Sequence, residues 1–116
     1  MKIPEQGFLL RIFLGESDRW HGKPLYEAIV LKARELHLAG ATVIRGIMGF
    51  GAASRVHTAK VLRLSEDLPI VVEIVDSEQR IEDFLRTLDG LLEQAGGGGL
   101  ITLEAVDVIR YFPRER

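Results

Sequence analysis

The chain has no cysteine among its 116 residues. Disulfide bonds, thiolate metal sites and a cysteine nucleophile are therefore excluded. The sequence also has no apolar run near the roughly 20 residues that a membrane-spanning helix needs. Its first residues, Met1 to Glu5, do not show the charged-then-apolar order of a secretory signal. We therefore expect a cytoplasmic protein.

A large excess of charge is also lacking. Lysine and arginine total 15 against 17 aspartates and glutamates, and the net charge at pH 7 is −2. This balance gives no general attraction to nucleic acid or to an anionic membrane, so we expect no nucleic-acid partner. The length and the 47% hydrophobic content suit one domain with one core. We predict a single domain over residues 1–116.

The hydrophobic pattern predicts four strands and two helices. The strands are predicted at 8–14, 41–47, 70–75 and 101–111, and the helices at 24–36, stopped by Gly40, and from Asp76 or Ser77 to the glycines at 96–99. The apolar run 8–14 is typical of a strand that is buried on both faces, in which Arg11 needs a partner or an end position. The last strand changes phase, which predicts a bulge or bend near Ala105.

The resulting order, β-α-β-β-α-β, predicts an α+β ferredoxin-like sandwich. In that fold a four-stranded antiparallel sheet carries two helices on one face. The connection at about 52–68 is long for neighbouring strands, and such loops are usually functional. We predict a long mobile loop there; the alternative is an extended hairpin arm that packs on a neighbouring subunit.

Two glycine clusters are the main candidates for ligand contact. Gly49-Phe50-Gly51 follows a strand and superficially resembles a dinucleotide-binding fingerprint. A loop comes next in place of the glycine-initiated helix, and one βαβ-sized chain cannot build both halves of a dinucleotide fold, so we reject that interpretation. Glycines still let backbone N–H groups approach a ligand and form an anion-binding concavity. The run 96–99 is either a flexible helix terminator or a loop able to wrap a phosphate, and one glycine would suffice for termination.

The order of these motifs resembles the PII signalling proteins. Gly49-Phe50-Gly51 is followed by His57-Thr58, by the glycines at 96–99 and by Val108-Ile109-Arg110. The stretches 15–26, 39–46 and 64–69 more closely resemble an uncharacterised PII-like bacterial family, domain of unknown function one-ninety. The resemblance covers most of the chain.

The resemblance implies a homotrimer of ferredoxin-like subunits that binds ATP or ADP in clefts between neighbours. The matching nucleotide-binding positions are Gly49, Phe50, Gly51, Gly97, Gly98 and the phosphate-contacting Arg110. The chain departs from PII at Leu100, where PII has a lysine, and at Phe112, where PII has a second arginine. A weaker anionic ligand, such as AMP or cyclic AMP, with or without magnesium, therefore fits equally well, and no cofactor is required.

Three further residues are candidate contributors to this site. Trp20 could stack on a base or could cover the sheet edge. Arg19 could neutralise a phosphate or be solvated, and Arg55 lies in the predicted loop. Of the two interpretations of Trp20 and its neighbours, the sequence slightly favours the structural one.

Other functions stay open from the sequence. A metal-binding trimer of CutA type would draw on histidines and acids without chelating spacing, namely His21, His37, His57, Glu16 and Asp18. An enzyme acting on a small phosphorylated compound would draw on loop residues that no motif holds together, namely Ser54, His57, Ser65, Glu66 and Asp67. We favour a regulatory protein that relays ligand binding to a protein partner through the 52–68 loop. A membrane transporter or channel is one candidate partner, and a purely structural interaction module is a further alternative.

Overall fold

The predicted strands and helices are present, with a small hairpin added. A computed structural model of the chain describes residues 6–50 and 67–112. In chain order the elements are β1 (Gln6–Gly15), β2 (Arg19–Trp20), β3 (Lys23–Pro24), α1 (Leu25–Glu35), β4 (Thr42–Arg45), β5 (Pro69–Asp76), α2 (Glu78–Gln94) and β6 (Leu100–Asp107). The hairpin of β2 and β3 lies in the segment 16–23, for which the sequence predicted only a polar connection.

Four of the strands form one antiparallel sheet in the order β4-β5-β1-β6. The central strand β1 pairs with β5 and β6 along its length, so that Phe13 lies opposite both Val71 and Leu100. This topology confirms the predicted α+β ferredoxin-like sandwich.

The core lies between one face of the sheet and both helices. Alternate residues of β1 and β5 point into it, as period-two patterning requires, and the apolar stripes of α1 and α2 cover them. Its buried side chains are Leu10, Ile12, Leu14, Ile70, Val72, Ile74, Leu25, Ile29, Ala33, Ile81, Phe84, Leu88 and Leu91. The helices are therefore on one face, as predicted. Neither helix is long and apolar enough to cross a membrane in the part of the chain that is described.

The opposite face of the sheet is only half-buried, so the prediction that β1 is buried on both faces is wrong for a single protomer. Leu9 and Phe13 are intermediate in exposure on this open face. Arg11 lies between them and has two partners, as the sequence predicted: its Nε donates to Oε2 of Glu73 at 2.9 Å and its Nη1 donates to Oε1 of Glu104 at 2.6 Å. The hydrogen bond to Glu73 is the main cause that raises the pKa of Arg11. Double burial failed because the helices occupy one face only.

Helix α1 ends at Glu35, within one residue of the predicted bound, but His37 terminates it and not Gly40. His37 has a positive φ of 60°, and its N–H donates to Arg34 O while the N–H of Leu38 donates to Ala33 O, both at 3.0 Å. These two bonds satisfy the last carbonyls of the helix in a Schellman motif, with a histidine in the position that glycine usually takes. Helix α2 ends in the same way at the predicted glycine run, whose first glycine has a φ of 105°.

Strand β6 contradicts the predicted bulge. Its register with β1 is unbroken from Leu100 to Asp107, and Ala105 lies directly opposite Phe8. The change of phase in the sequence arises because β6 is an edge strand, with both faces largely exposed along most of its length. Edge position weakens the alternation that marks a half-buried strand.

A buried carboxylate connects the two helices to the sheet. Asp76, at the end of β5, is 0% exposed and accepts hydrogen bonds from the N–H of Ala39 (2.9 Å), the N–H of Ser77 (2.7 Å) and Arg80 Nε (3.3 Å). Arg80 also donates to the carbonyls of Leu36, at 3.1 Å, and of the residue after it. Ser77, not Asp76, is the N-cap of α2, where its hydroxyl accepts from the N–H of Arg80. Asp76 therefore joins the end of α1 to the start of α2.

Candidate functional site

Several predicted site residues lie at one end of the sheet, which we call the glycine end. It is the end at which β1 stops at Gly15, β4 stops at Arg45, and β5 and β6 begin. The glycine run 96–99 and the loop that contains Gly49 both lie there. The antiparallel pairing brings these two loops, which are far apart in the sequence, to the same end of the sheet, where one follows β4 and the other precedes β6, the two edge strands.

The glycine run forms most of the wall of a cavity of about 390 Å³, lined by Asp18, Leu25, Ala95, Gly96, Gly97, Gly98 and Gly99. Glycine is required in this wall. Gly97 has a φ of 77° and Gly99 a φ of 109°, and a Cβ at Gly99 would lie 3.0 Å from the carbonyl oxygen of Phe13. A substitution there would be strained and would push on β1. The predicted contacts Gly97 and Gly98 thus line a cavity.

The second glycine motif packs on the start of β5. Gly49 has a φ of 152°, and a Cβ there would lie 3.1 Å from Cγ of Pro69. The N–H of Gly46 donates to Pro69 O at 2.7 Å, which anchors the loop. Phe50 is 81% exposed and covers no core. The predicted contacts Gly51 and Arg55 lie outside the described residues, as does the predicted 52–68 loop except for its last two residues.

Arg110 lies at the opposite end of the sheet from both glycine loops. The eight residues of β6 separate it from Gly99 by about 25 Å, at roughly 3.3 Å per residue. Its guanidinium carbon lies 4.7 Å above the ring of Phe112, and it lines a second cavity of about 720 Å³ beside Thr42 and Val75. One protomer therefore does not bring Arg110 to Gly97 and Gly98.

The hairpin of β2 and β3 places Trp20 against the end of α2. Its Nε1 donates to Oε1 of Gln94 at 2.7 Å, and its ring meets that of His21 edge-on, with centroids 4.3 Å apart. Trp20 also packs on the core, whereas Arg19 is exposed. These contacts favour the structural interpretation of Trp20, because its polar atom and much of its surface are already used.

Asp18 is a site residue that the sequence suggested only as a metal ligand. Its Oδ2 accepts the N–H of Gly15 at 3.0 Å, its N–H donates to Gly15 O at 3.2 Å, and its carbonyl accepts the N–H of Leu25 at 2.8 Å. The only local signal is that aspartate suits such turns. Its place in the cavity wall depends on the distant glycine run, which no local pattern reports.

The segment that follows Phe50 returns to the sheet at the same end. Asp67 Oδ1 accepts the N–H of Ser17 at 3.2 Å, and the N–H of Glu16 donates to Leu68 O at 2.8 Å. Glu16 also accepts from Arg45 at 2.8 Å, and this hydrogen bond is the main cause that raises the pKa of Arg45. Both anchors of the 51–66 segment therefore lie at the glycine end.

Four candidate metal ligands, His21, His37, Glu16 and Asp18, lie in the described residues and form no cluster, and His57 lies outside the described residues. Over residues 6–50 and 67–112, no group of three or more histidine, cysteine, aspartate or glutamate side chains could hold a metal ion. His37 terminates α1, and His21 lies against Trp20. The described geometry gives the metal hypothesis no support.

The sequence of residues 7–108 matches the DUF190 family, whose description is "Uncharacterized ACR". The chain belongs to this family. A relative in Aquifex aeolicus, a UPF0166 protein, is 44% identical over 101 residues, which cover 87% of this chain and 91% of that one. The resemblance that the sequence indicated is confirmed.

Solved structures with the same fold are PII-like. A candidate PII-like signaling protein from Thermus thermophilus is 19% identical and superposes with a TM-score of 0.60, over 92% of this chain and 96% of that one. CPII, a nitrogen regulatory PII-like protein from Thiomonas intermedia, is 14% identical with a TM-score of 0.62, over 92% and 97% of the two chains, and that structure holds ADP, AMP and bicarbonate. At these identities the comparison shows that this DUF190 chain has the PII-like ferredoxin fold.

Proposed function

We propose that this DUF190 protein is a cytoplasmic PII-like regulatory protein. It binds a small anionic ligand, an adenine nucleotide, at clefts between the subunits of a homotrimer. It relays ligand binding to a protein partner through the 52–68 loop. The observation that carries the proposal is that the 96–99 cavity, the Gly49 loop and both anchors of the 51–66 segment all lie at the same end of the sheet.

The size and the lining of the cavity support a small ligand. A volume of about 390 Å³ lies within the roughly 300–1,000 Å³ that small-molecule sites occupy. The glycine backbone lets a ligand approach the main chain closely. CPII, which shares the fold, holds ADP and AMP, and this supports an adenine nucleotide as the first ligand to try.

The position of Arg110 supports a site between subunits. In one protomer it lies across the length of β6 from the glycine run, so it cannot contact a ligand in that cavity. A neighbouring copy could supply it, as a ring of head-to-tail contacts allows. Both ends of the sheet also expose large apolar side chains that suit subunit contact: Phe50 is 81%, Ile109 92% and Phe112 74% exposed.

The relay has a physical basis in the anchors of the segment. A ligand at the glycine end would touch the turn 15–18, to which Asp67 and Leu68 are hydrogen-bonded. Ligand binding can change the conformations of the segment only if the ligand has different affinities for them. The partner is then a protein that recognises one of these conformations.

The test is calorimetric titration with ATP, ADP, AMP and cyclic AMP, with and without magnesium, on protein whose mass is measured by light scattering. We expect saturable binding near one site per subunit and a mass of three 13.0 kDa chains. Arg110→Ala should weaken nucleotide binding about tenfold or more, because charge-assisted phosphate contacts are strong.

The matched control is Arg86→Ala, which removes an exposed arginine of α2 that pairs only with Asp83 among the described residues. It should bind nucleotide as the wild type does. A monomer at micromolar concentration, or unchanged nucleotide affinity in the Arg110 variant, would refute the proposal that the site lies between subunits. If none of the nucleotides gives a heat of binding, the proposal that the ligand is an adenine nucleotide is wrong.

A further inference from the structure

The cavity at the glycine end has an acidic wall. Among the described residues that line it, Asp18 is the only one with a charged side chain, and the others are glycines, Leu25 and Ala95. Leu100, which follows the glycine run, is 57% exposed and brings no positive charge. None of the described lining residues therefore offers a cationic side chain that could pair with a phosphate.

The carboxylate of Asp18 is held in position by its own turn. Gly15 N–H donates to Oδ2 at 3.0 Å, and the main chain of Asp18 is tied to Gly15 and to Leu25 by bonds of 3.2 and 2.8 Å. One hydrogen bond therefore holds the carboxylate and two hold the main chain of Asp18. A ligand that enters the cavity must meet this group.

An ionised carboxylate accepts hydrogen bonds and donates none. A phosphate at neutral pH is also anionic and rich in acceptor oxygens, so its approach to Asp18 would place like charges together. A neutral O–H or N–H donor would instead gain a charge-assisted hydrogen bond. Ribose hydroxyls and the exocyclic amine of adenine both have this chemistry.

We propose that Asp18 is a specificity-determining residue, which receives a neutral hydrogen-bond donor of the ligand in the 96–99 cavity and keeps the phosphates out of it. This inference rests on the proposed function, because it places the nucleoside of the same nucleotide inside the cavity and its phosphates outside. The phosphates then lie outside the cavity, toward the neighbouring subunit. The glycine run accommodates the nucleoside and does not wrap the phosphate.

The test is titration of the wild type and of Asp18→Asn with adenosine, ADP, 2′-deoxy-ADP, 3′-deoxy-ADP and inosine diphosphate. We expect Asp18→Asn to weaken adenosine and ADP by the same factor, about tenfold or more, since a charge-assisted hydrogen bond is lost from both. The wild type should lose a similar factor with the deoxy ligands if the donor is a hydroxyl. It should lose that factor with inosine diphosphate if the donor is the amine.

Glu82→Gln is the charge-matched control, because Glu82 is exposed in the second turn of α2, at the other end of this helix from the cavity, and it should leave all affinities unchanged. If Asp18→Asn fails to fold, the analogue series on the wild type still decides, and equal binding of ADP and every analogue would overturn the inference. An increase in ADP affinity relative to adenosine in Asp18→Asn would also overturn it, because the carboxylate would then face a phosphate. Wild-type protein that binds no adenine compound would instead refute the proposed function itself.

Discussion

The carboxylate of Asp76 joins three parts of the fold, so its removal gives a quantitative test of the structure. It is fully buried and accepts hydrogen bonds from Ala39, Ser77 and Arg80 at 2.9, 2.7 and 3.3 Å. Asp76→Ala removes all three acceptors at once. The N–H of Ala39 and the guanidinium of Arg80 then lose a charged partner at a site where the carboxylate had excluded water.

The expected loss is large relative to the stability of a domain. Arg80 is 35% exposed and keeps two carbonyl partners, whereas the N–H groups of Ala39 and Ser77 lose their acceptor. The loss should therefore be about 2–4 kcal/mol, and domains of this kind have a free energy of unfolding of about 5–15 kcal/mol. Asp76→Asn keeps the volume and one acceptor oxygen, so it should lose about 1–3 kcal/mol. The free energy of unfolding should therefore be highest for the wild type, lower for Asp76→Asn and lowest for Asp76→Ala.

Urea unfolding followed by circular dichroism measures these losses, at one protein concentration for all variants because the stability of an oligomer depends on concentration. The control is Asp83→Asn on the same helix, whose pair with Arg86 is exposed and whose change should stay within about 0.5 kcal/mol. A loss below about 1 kcal/mol for Asp76→Ala would refute the reasoning, since water would then replace the carboxylate at no cost.

Two further predictions concern the glycine end. Gly99→Ala should lower the free energy of unfolding by about 2–3 kcal/mol, because it adds backbone strain to a 3.0 Å approach to Phe13. Gly90→Ala, within α2 and with open space at its Cβ, should instead raise the free energy of unfolding by up to about 1 kcal/mol. Urea unfolding of both variants checks this, and equal effects would contradict it. Trp20→Phe should cost about 1 kcal/mol by removing the bond to Gln94 and should change ADP affinity less than twofold in calorimetry. A tenfold loss of affinity at unchanged stability would instead place Trp20 in the ligand site.

The sequence predicted the elements well where the periodicity was strong. The stripe of α2, from Ile81 to Leu91, and the alternation of β5, from Ile70 to Ile74, are both observed in the core. The sequence predicted burial and strand regularity less well for strands that have only one buried face or none. Strand β1 was expected to be buried on both faces, although the predicted fold covers only one face of the sheet with helices. Strand β6 was expected to bulge at Ala105, because its edge position cannot be read from local composition.

The sequence named glycines of the candidate site, but it did not predict how the candidate residues are arranged in space. Gly97 and Gly98, which the sequence predicted as ligand contacts, line a cavity, and the same glycine run also terminates α2. The separation of Arg110 from them is a property of the sheet, in which β6 carries the chain from one end to the other. Resemblance to a family names such positions, but it does not say which copy of the chain brings them together.

By itself, the sequence determined the order of strands and helices, the antiparallel α+β architecture and the glycine-rich character of two loops. These properties follow from neighbours in the chain, through periodicity, caps and backbone freedom. Only the tertiary structure decided that Arg11 pairs with residues 62 and 93 positions away and that Asp18 stands in the wall of the 96–99 cavity. Such contacts depend on strand register and on packing between distant segments, so no local pattern in the chain contains them.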